Sequence, residues 1–321
     1  MKRIVRSRPI LTDETHRVTS FEIFFDLVFI FALTQILSYM AKPAPTPLGL
    51  AQGLILLLLL WMAWTTYTWL ANQVRADIGL IPAGTVVAMA AIFVAALVIR
   101  DAWQYGPGIL DAPLILALAY IVLRGLDIAL YFHAAKGDRQ MRTTLRIFTI
   151  TAVLAWTPLV LGAMFGGTAQ TLLWAGAFVI DFSGGFVASV VSGWRLRSAS
   201  HFTERHGLVL IIALGESLFS TGAGARSAVT HGPVLLAALL AFTVAVCLWW
   251  LYFKNAALIA GRALAELSES ERGRVASNAY SLAHFFLIAG VIYYWRVPSM
   301  RHDLWNEAGT SIRFQPGRVG R

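Results

Sequence analysis

Residues 19–38 read TSFEIFFDLVFIFALTQILS, an apolar run with two acids, Glu22 and Asp26, four residues apart. In a helix that spacing puts both carboxylates on one face, one turn apart. Among Phe, Leu, Val and Ile they need a counter-charge, a water or an ion. Glu22 is close enough to the start of the run to cap it, since acids are favoured at a helix N-terminus. Asp26 lies deeper and reads as a cation or proton ligand. Glu216 stands well inside another apolar run, on the order of 18 Å along it, and reads as an ion- or proton-handling group. Asp181 is followed by Ser183, Gly184 and Gly185. That sequence either loosens a helix and frees carbonyls for a cation or lets two helices pack closely.

The remaining polar groups form a charge network. Arg124 and Asp127 are three apart and share a helix face. They make a structural ion pair, or Arg124 crosses to Asp26 or Glu22 and a transported ion competes with it. His201, Glu204, Arg205 and His206 cluster where the run holding Glu216 begins. Their spacing is not HExxH, which argues against a zinc enzyme, so a cap with an interfacial gate or salt-bridge network is expected. His284 either relays protons or donates one hydrogen bond to a neighbouring helix. Five acids (Glu22, Asp26, Asp127, Asp181, Glu216) thus face one intramembrane arginine, Arg124. Such an excess suits proton or cation handling better than anion binding.

The elements that carry these residues are apolar and long. Of 321 residues, 58% are hydrophobic and 13% charged, about half the charge of a soluble domain. The reading is all-α: a polytopic transmembrane helix bundle of about nine spans, each near the roughly 20 residues a bilayer requires. They fall at about 21–40, 49–70, 80–99, 112–133, 147–165, 170–192, 206–222, 233–253 and 276–295. Residues 1–18 form a polar basic segment, 19–295 the helical domain, and 296–321 a polar tail. Trp61, Trp64, Tyr67 and Trp69 close the second run and are expected at the membrane–water interface. The first run is too long for a signal peptide and reads as an uncleaved span.

With the N-terminus in the cytoplasm, inside segments hold 17 Lys and Arg, while the outside loops hold Lys42, Arg100 and Arg226. This positive-inside bias explains the net charge of +9 without nucleic acid. The tail, with five arginines, breaks the bias. Cys247 is the single cysteine, so no intrachain disulfide is available, and no resident metal or cofactor is expected. LVFIFALTQILS (27–38) and LVLIIALGESLF (208–219) share six of twelve positions. Spans 1 and 7 run in the same direction, so a parallel six-helix repeat is expected, with a boundary near 195–203 and the second copy truncated.

FEIFFDLVFIFALTQ, HFTERHGLVLIIALGES and, more weakly, SNAYSLAHFFLIAG resemble the signatures of the bacterial low-temperature-requirement protein A family. The resemblance covers about residues 18–290 and implies a multi-pass bacterial inner-membrane protein. It implies no reaction, since the family is named for a growth phenotype. Members of that family continue with further apolar spans beyond the position of His284; the polar tail here departs from them, as a frameshift or truncation would produce. The functional expectation is a cation- or proton-linked transporter or channel-like protein. The alternative is a membrane sensor or assembly protein whose buried ion pairs hold helices in register. No nucleophile–base pair, metal motif or phosphate loop suggests an enzyme. The expected partners are the bilayer, a monovalent cation or proton, and further copies of the chain.

Overall fold

The computed structural model describes residues 9–40, 46–105, 111–191, 195–225 and 232–293. The tail from Arg296 and the loop around Lys42 lie outside them. The described chain is helical, with nine helices long and apolar enough to cross a membrane.

Helix α1 is Ser20–Met40, α2 Pro47–Gln73, α3 Ile81–Val98, α4 Ala112–Ala134, α5 Arg139–Phe165, α6 Gly167–Val191 and α7 Ala199–Ala225. Helix α8, Gly232–Leu251, runs through a π-helical turn, Tyr252–Ala256, into α9, Ala257–Glu266. Helix α10, Glu269–Val275, continues through a second π-helical turn, Ala276–Leu282, to residue 293.

Local chemistry sets the ends. Thr19 and Glu22 form a reciprocal cap on α1. The Glu22 N–H donates to Thr19 Oγ1 at 3.3 Å, and the Thr19 N–H and hydroxyl donate to Glu22 Oε2 at 2.9 and 2.8 Å. Thr46 caps α2 by accepting from the Gly49 N–H, with Pro47 in the first turn. Asp138 caps α5 by accepting from the Met141 N–H. Helices α5 and α6 are joined by Gly166 alone; it and Gly167, the first residue of α6, have φ of +72° and +56°, the left-handed region that glycine enters without penalty.

Helix α2 is the centre of the bundle, buried almost continuously from Ile55 to Gln73. Helices α1, α4, α6 and α7 pack around it. Phe24, Leu27, Leu118, Leu154, Leu236 and Leu239 face outward, as side chains do when the surrounding medium is hydrocarbon. The N-terminal segment lies across the end of α2. The Arg75 N–H donates to Ile10 O at 2.9 Å, and the Thr12 N–H and hydroxyl donate to Gln73 O and Ala71 O.

The four aromatics that close α2 pack inside the protein, and Trp64 is fully enclosed. Trp61 and Trp69 donate to Ser281 O and Ser281 Oγ, and Tyr67 donates to Leu123 O. Helix α6 runs unbroken through Ser183–Gly185, so no carbonyls are freed beside Asp181. A Cβ on Gly184 would lie 1.6 Å from Thr151 Oγ1 on α5; the glycine serves close helix packing. Helix α7 starts at Ala199 rather than near 206, which draws the charged stretch 201–206 into its first two turns. Glu216 is therefore its eighteenth residue, in the far half of the helix.

Candidate functional site

The buried charges gather into two clusters, each built on one arginine. In the first, Arg205 on α7 reaches across to α1. Its Nη1 donates to Glu22 Oε1 at 3.1 Å and its Nη2 to Asp26 Oδ1 at 2.6 Å. All three side chains are buried. The Trp64 indole on α2 donates to the same Asp26 oxygen at 2.8 Å. His201, one turn before Arg205, holds Glu22 Oε1 at 2.7 Å through Nε2. The helical spacing explains the geometry: Glu22 and Asp26 on α1, and His201 and Arg205 on α7, are both i,i+4 pairs, so two facing stripes meet.

Asn72, in the last turn of α2, fixes the entry to this cluster. Its Oδ1 accepts from the Arg197 N–H at 2.8 Å, and its amide donates to Ser198 O at 2.7 Å. The same amide points at His201 Nδ1 from 3.4 Å. An amide donates, so Nδ1 accepts and the proton of the neutral ring sits on Nε2, toward Glu22. His16, from the segment before α1, stacks on His201 with centroids 5.3 Å apart. Burial, and then the His201 ring, lower its pKa from the ordinary histidine value.

In the second cluster, Arg124 on α4 donates from Nε and Nη2 to Asp181 on α6 at 3.1 and 2.9 Å. From Nη1 it donates to Asp127 Oδ2 at 2.8 Å and to Thr66 Oγ1 at 3.0 Å. The Tyr120 hydroxyl donates to Asp181 at 3.3 Å, and the guanidinium lies over the Phe148 ring. Arg124 therefore ties α2, α4 and α6 together.

This arrangement decides between the two readings of Arg124, bearing out its pair with Asp127, and corrects the expectation of a single intramembrane arginine. Arg124 pairs with Asp127 and Asp181; Glu22 and Asp26 take Arg205 instead. Among the described residues two arginines, Arg124 and Arg205, are buried against these acids, because the early start of α7 carries Arg205 inside. Glu22 is both a cap and an ion-pair partner, since one carboxylate oxygen serves each role. Glu204 diverges from its neighbours. It lies at the surface near Arg17, at 3.6 Å, and accepts from the Val18 N–H at 3.3 Å.

His206 faces away from Arg205's acids, edge-on to Trp64 and close to His284. His284 Nδ1 faces Ala279 O at 3.1 Å and so carries the proton; Nε2 accepts from the Tyr252 hydroxyl at 2.7 Å. Across helices it accepts rather than donates. Both residues lie beside π-helical turns, which recur at functional sites. Glu216 is partly buried, 11 residues beyond Arg205.

His16, Trp64, Asn72, Thr66 and Tyr120 were not legible as site residues. Asn72 carried the only signal, a buried-type position for a strongly polar amide at the end of an apolar run. Among the described residues, His16, Glu22 and His201 form a group that could hold a metal ion, with one donor atom from each lying within 4.8 Å of the others.

A helical bundle with an apolar exterior and ion pairs closed inside it is a multi-pass integral membrane protein. The chain belongs to the bacterial low temperature requirement A protein (LtrA) family, whose model matches residues 17–294. It is similar to an uncharacterized protein of Rhizobium meliloti, 27% identical over 289 residues, which is 88% of this chain and 68% of the relative. No solved structure matches it.

Proposed function

We propose that this protein is a cation- or proton-linked transporter or channel-like protein of the bacterial inner membrane, with its N-terminus in the cytoplasm. One observation carries the reading. Each buried arginine faces two carboxylates, and in each cluster one oxygen, Asp26 Oδ2 or Asp127 Oδ1, is buried without a hydrogen-bond partner. Counting guanidinium and carboxylates alone, each cluster sets one positive charge against two ionisable acids, one negative charge in excess when both acids are ionised. Such a charge in hydrocarbon costs several kcal/mol, on the order of 3 or more. A proton or monovalent cation on the uncompensated oxygen relieves that cost, and its release restores it. Asp26 and Asp127 are the carriers in this reading, and the arginines set how tightly they hold. No enzymatic step is part of it.

The test is flux in proteoliposomes under Na⁺, K⁺ and pH gradients, comparing the native chain with Asp26→Asn and Asp127→Asn. The expected result is flux that falls at least tenfold in either variant. A folded native protein that passes no ion under any of the three gradients overturns the reading.

The full use of the Arg124 fork supports a second reading, a sensor or assembly protein whose ion pairs hold helices in register. Under it, Arg124→Ala impairs folding or assembly, and no ion flux accompanies the native state.

A further inference from the structure

We propose that His16, Glu22 and His201 form a binding site for one divalent transition-metal ion at the end of the bundle where α1 and α7 begin. His16 and His201 are 8% and 0% exposed, and Glu22 is 2% exposed. His16 Nε2 is buried without a hydrogen-bond partner. A buried, orphaned imidazole nitrogen normally finds a donor or an ion, and here it lies beside a second imidazole and a carboxylate. Two imidazoles and one carboxylate suit Zn²⁺, Co²⁺ or Ni²⁺; Mg²⁺ and Ca²⁺ prefer all-oxygen sets. A water completes a four-coordinate site, the open arrangement that three protein ligands leave.

The geometry needs a modest contraction. Bonds of about 2.1 Å to a tetrahedral ion put donors roughly 3.4 Å apart, against the present limit of 4.8 Å. His16 lies in the segment before α1, with its carbonyl held by the Ser198 hydroxyl, so the contraction is a movement of the His16 ring rather than of a helix. Ligation through His201 Nε2 moves the proton of the neutral ring to Nδ1, at the expense of the long 3.4 Å contact with Asn72. The ion then takes the place of that proton at Glu22 Oε1. Arg205 stays as an outer partner of Glu22, and Asp26 supplies a second negative charge nearby, so the ion does not face the arginine alone. Thr19 continues to hold Glu22 Oε2. The site shares Glu22 with the Arg205 cluster but stands without the transport reading.

The test is Co²⁺ titration of tag-free, full-length protein in detergent, followed by visible absorption. The expected result is one ion per chain with the strong absorption of a low-coordinate site, displaced by Zn²⁺ and unaffected by Mg²⁺. His16→Gln and His201→Gln each weaken binding by more than the roughly 10- to 100-fold that loss of an outer partner costs. His133→Gln, in the last turn of α4 and outside the three-residue group, leaves it unchanged. His201→Gln also removes a contact to Glu22, so His16→Gln is the variant that decides if the first misfolds. Binding that survives His16→Gln, weak absorption typical of six-coordinate Co²⁺, or equal losses in His133→Gln overturns the proposal.

Discussion

Arg205 Nη2 and Asp26 Oδ1 lie 2.6 Å apart although 179 residues separate them in the chain. That contact, with the 3.1 Å bond to Glu22, joins the first helix to the seventh through a charge that neither helix satisfies alone. Removing one partner of a buried ion pair costs about 3–5 kcal/mol, because the remaining charge stays buried and unpaired. Arg205→Met is therefore expected to destabilise by about that amount. The triple change Arg205→Met, Glu22→Gln, Asp26→Asn recovers most of it by removing the stranded charges. Thermal unfolding in detergent measures both. A triple variant no more stable than Arg205→Met would contradict the pairing. Arg205→Lys recovers little, since an ammonium cannot reach both acids as a planar fork does.

The second cluster predicts a specific pattern of couplings. Arg124 and Asp181 share two hydrogen bonds, so a double-mutant cycle with Arg124→Gln and Asp181→Asn should give a coupling of about 0.5–3 kcal/mol. The cycle of Arg124→Gln with Asp26→Asn should give near zero, because Asp26 belongs to Arg205. The exposed pair Arg75–Asp77, at 2.7 Å, should give no more than about 1 kcal/mol despite its good geometry. A large Arg124–Asp26 coupling would restore the pairing that the spacing alone left open.

Much of this was legible from the chain, for a physical reason. Spans are set by length and apolarity, both one-dimensional properties. The observed helices Ser20–Met40 and Ala112–Ala134 lie within a residue or so of the runs read from sequence. Glu22, Asp26, Arg124, Asp127 and Asp181 stood out because charge inside an apolar run is costly wherever it packs. What a lone helix does not encode is which neighbour satisfies it. Arg205 stood out as part of a salt-bridge network, but its depth was hidden, because a charged stretch at a helix start reads as interfacial until the helix is seen to begin at Ala199. Trp64 was hidden by its type: tryptophan at the end of an apolar run is statistically interfacial, yet here the indole serves a buried carboxylate. Asn72 acts on a loop more than 120 residues away, which no local pattern records.

That loop gives a third prediction. Asn72 satisfies the Arg197 N–H and Ser198 O and is fully buried. Asn72→Leu keeps the volume and strands those backbone groups, which costs about 1–3 kcal/mol. The loop also sets the first turn of α7, so hydrogen exchange at 196–203 should accelerate in Asn72→Leu more than exchange at the α5–α6 turn. Uniform acceleration across both regions would make Asn72 a general core residue rather than a clamp on the Arg205 cluster.

The last prediction separates the two roles offered for Gly184. If the glycine loosened α6 to expose carbonyls, alanine would tighten the helix and stabilise the protein, since alanine has the better helix propensity by about 1 kcal/mol. The observed packing gives the opposite sign. A Cβ at this position would meet Thr151 Oγ1 at 1.6 Å, Cβ at 2.5 Å and Cγ2 at 3.0 Å, and overpacking of this kind costs about 1–3 kcal/mol. Gly184→Ala is thus expected to lower the unfolding midpoint. Adding Thr151→Ala removes Oγ1 and Cγ2 but leaves the Cβ contact, so it should return part of the loss and not all of it. The same α5–α6 contact sets the distance of Asp181 from α4. The double variant should therefore regain stability before it regains the full Arg124–Asp181 coupling, and measuring both quantities on one set of proteins distinguishes a tight helix seam from a flexible break.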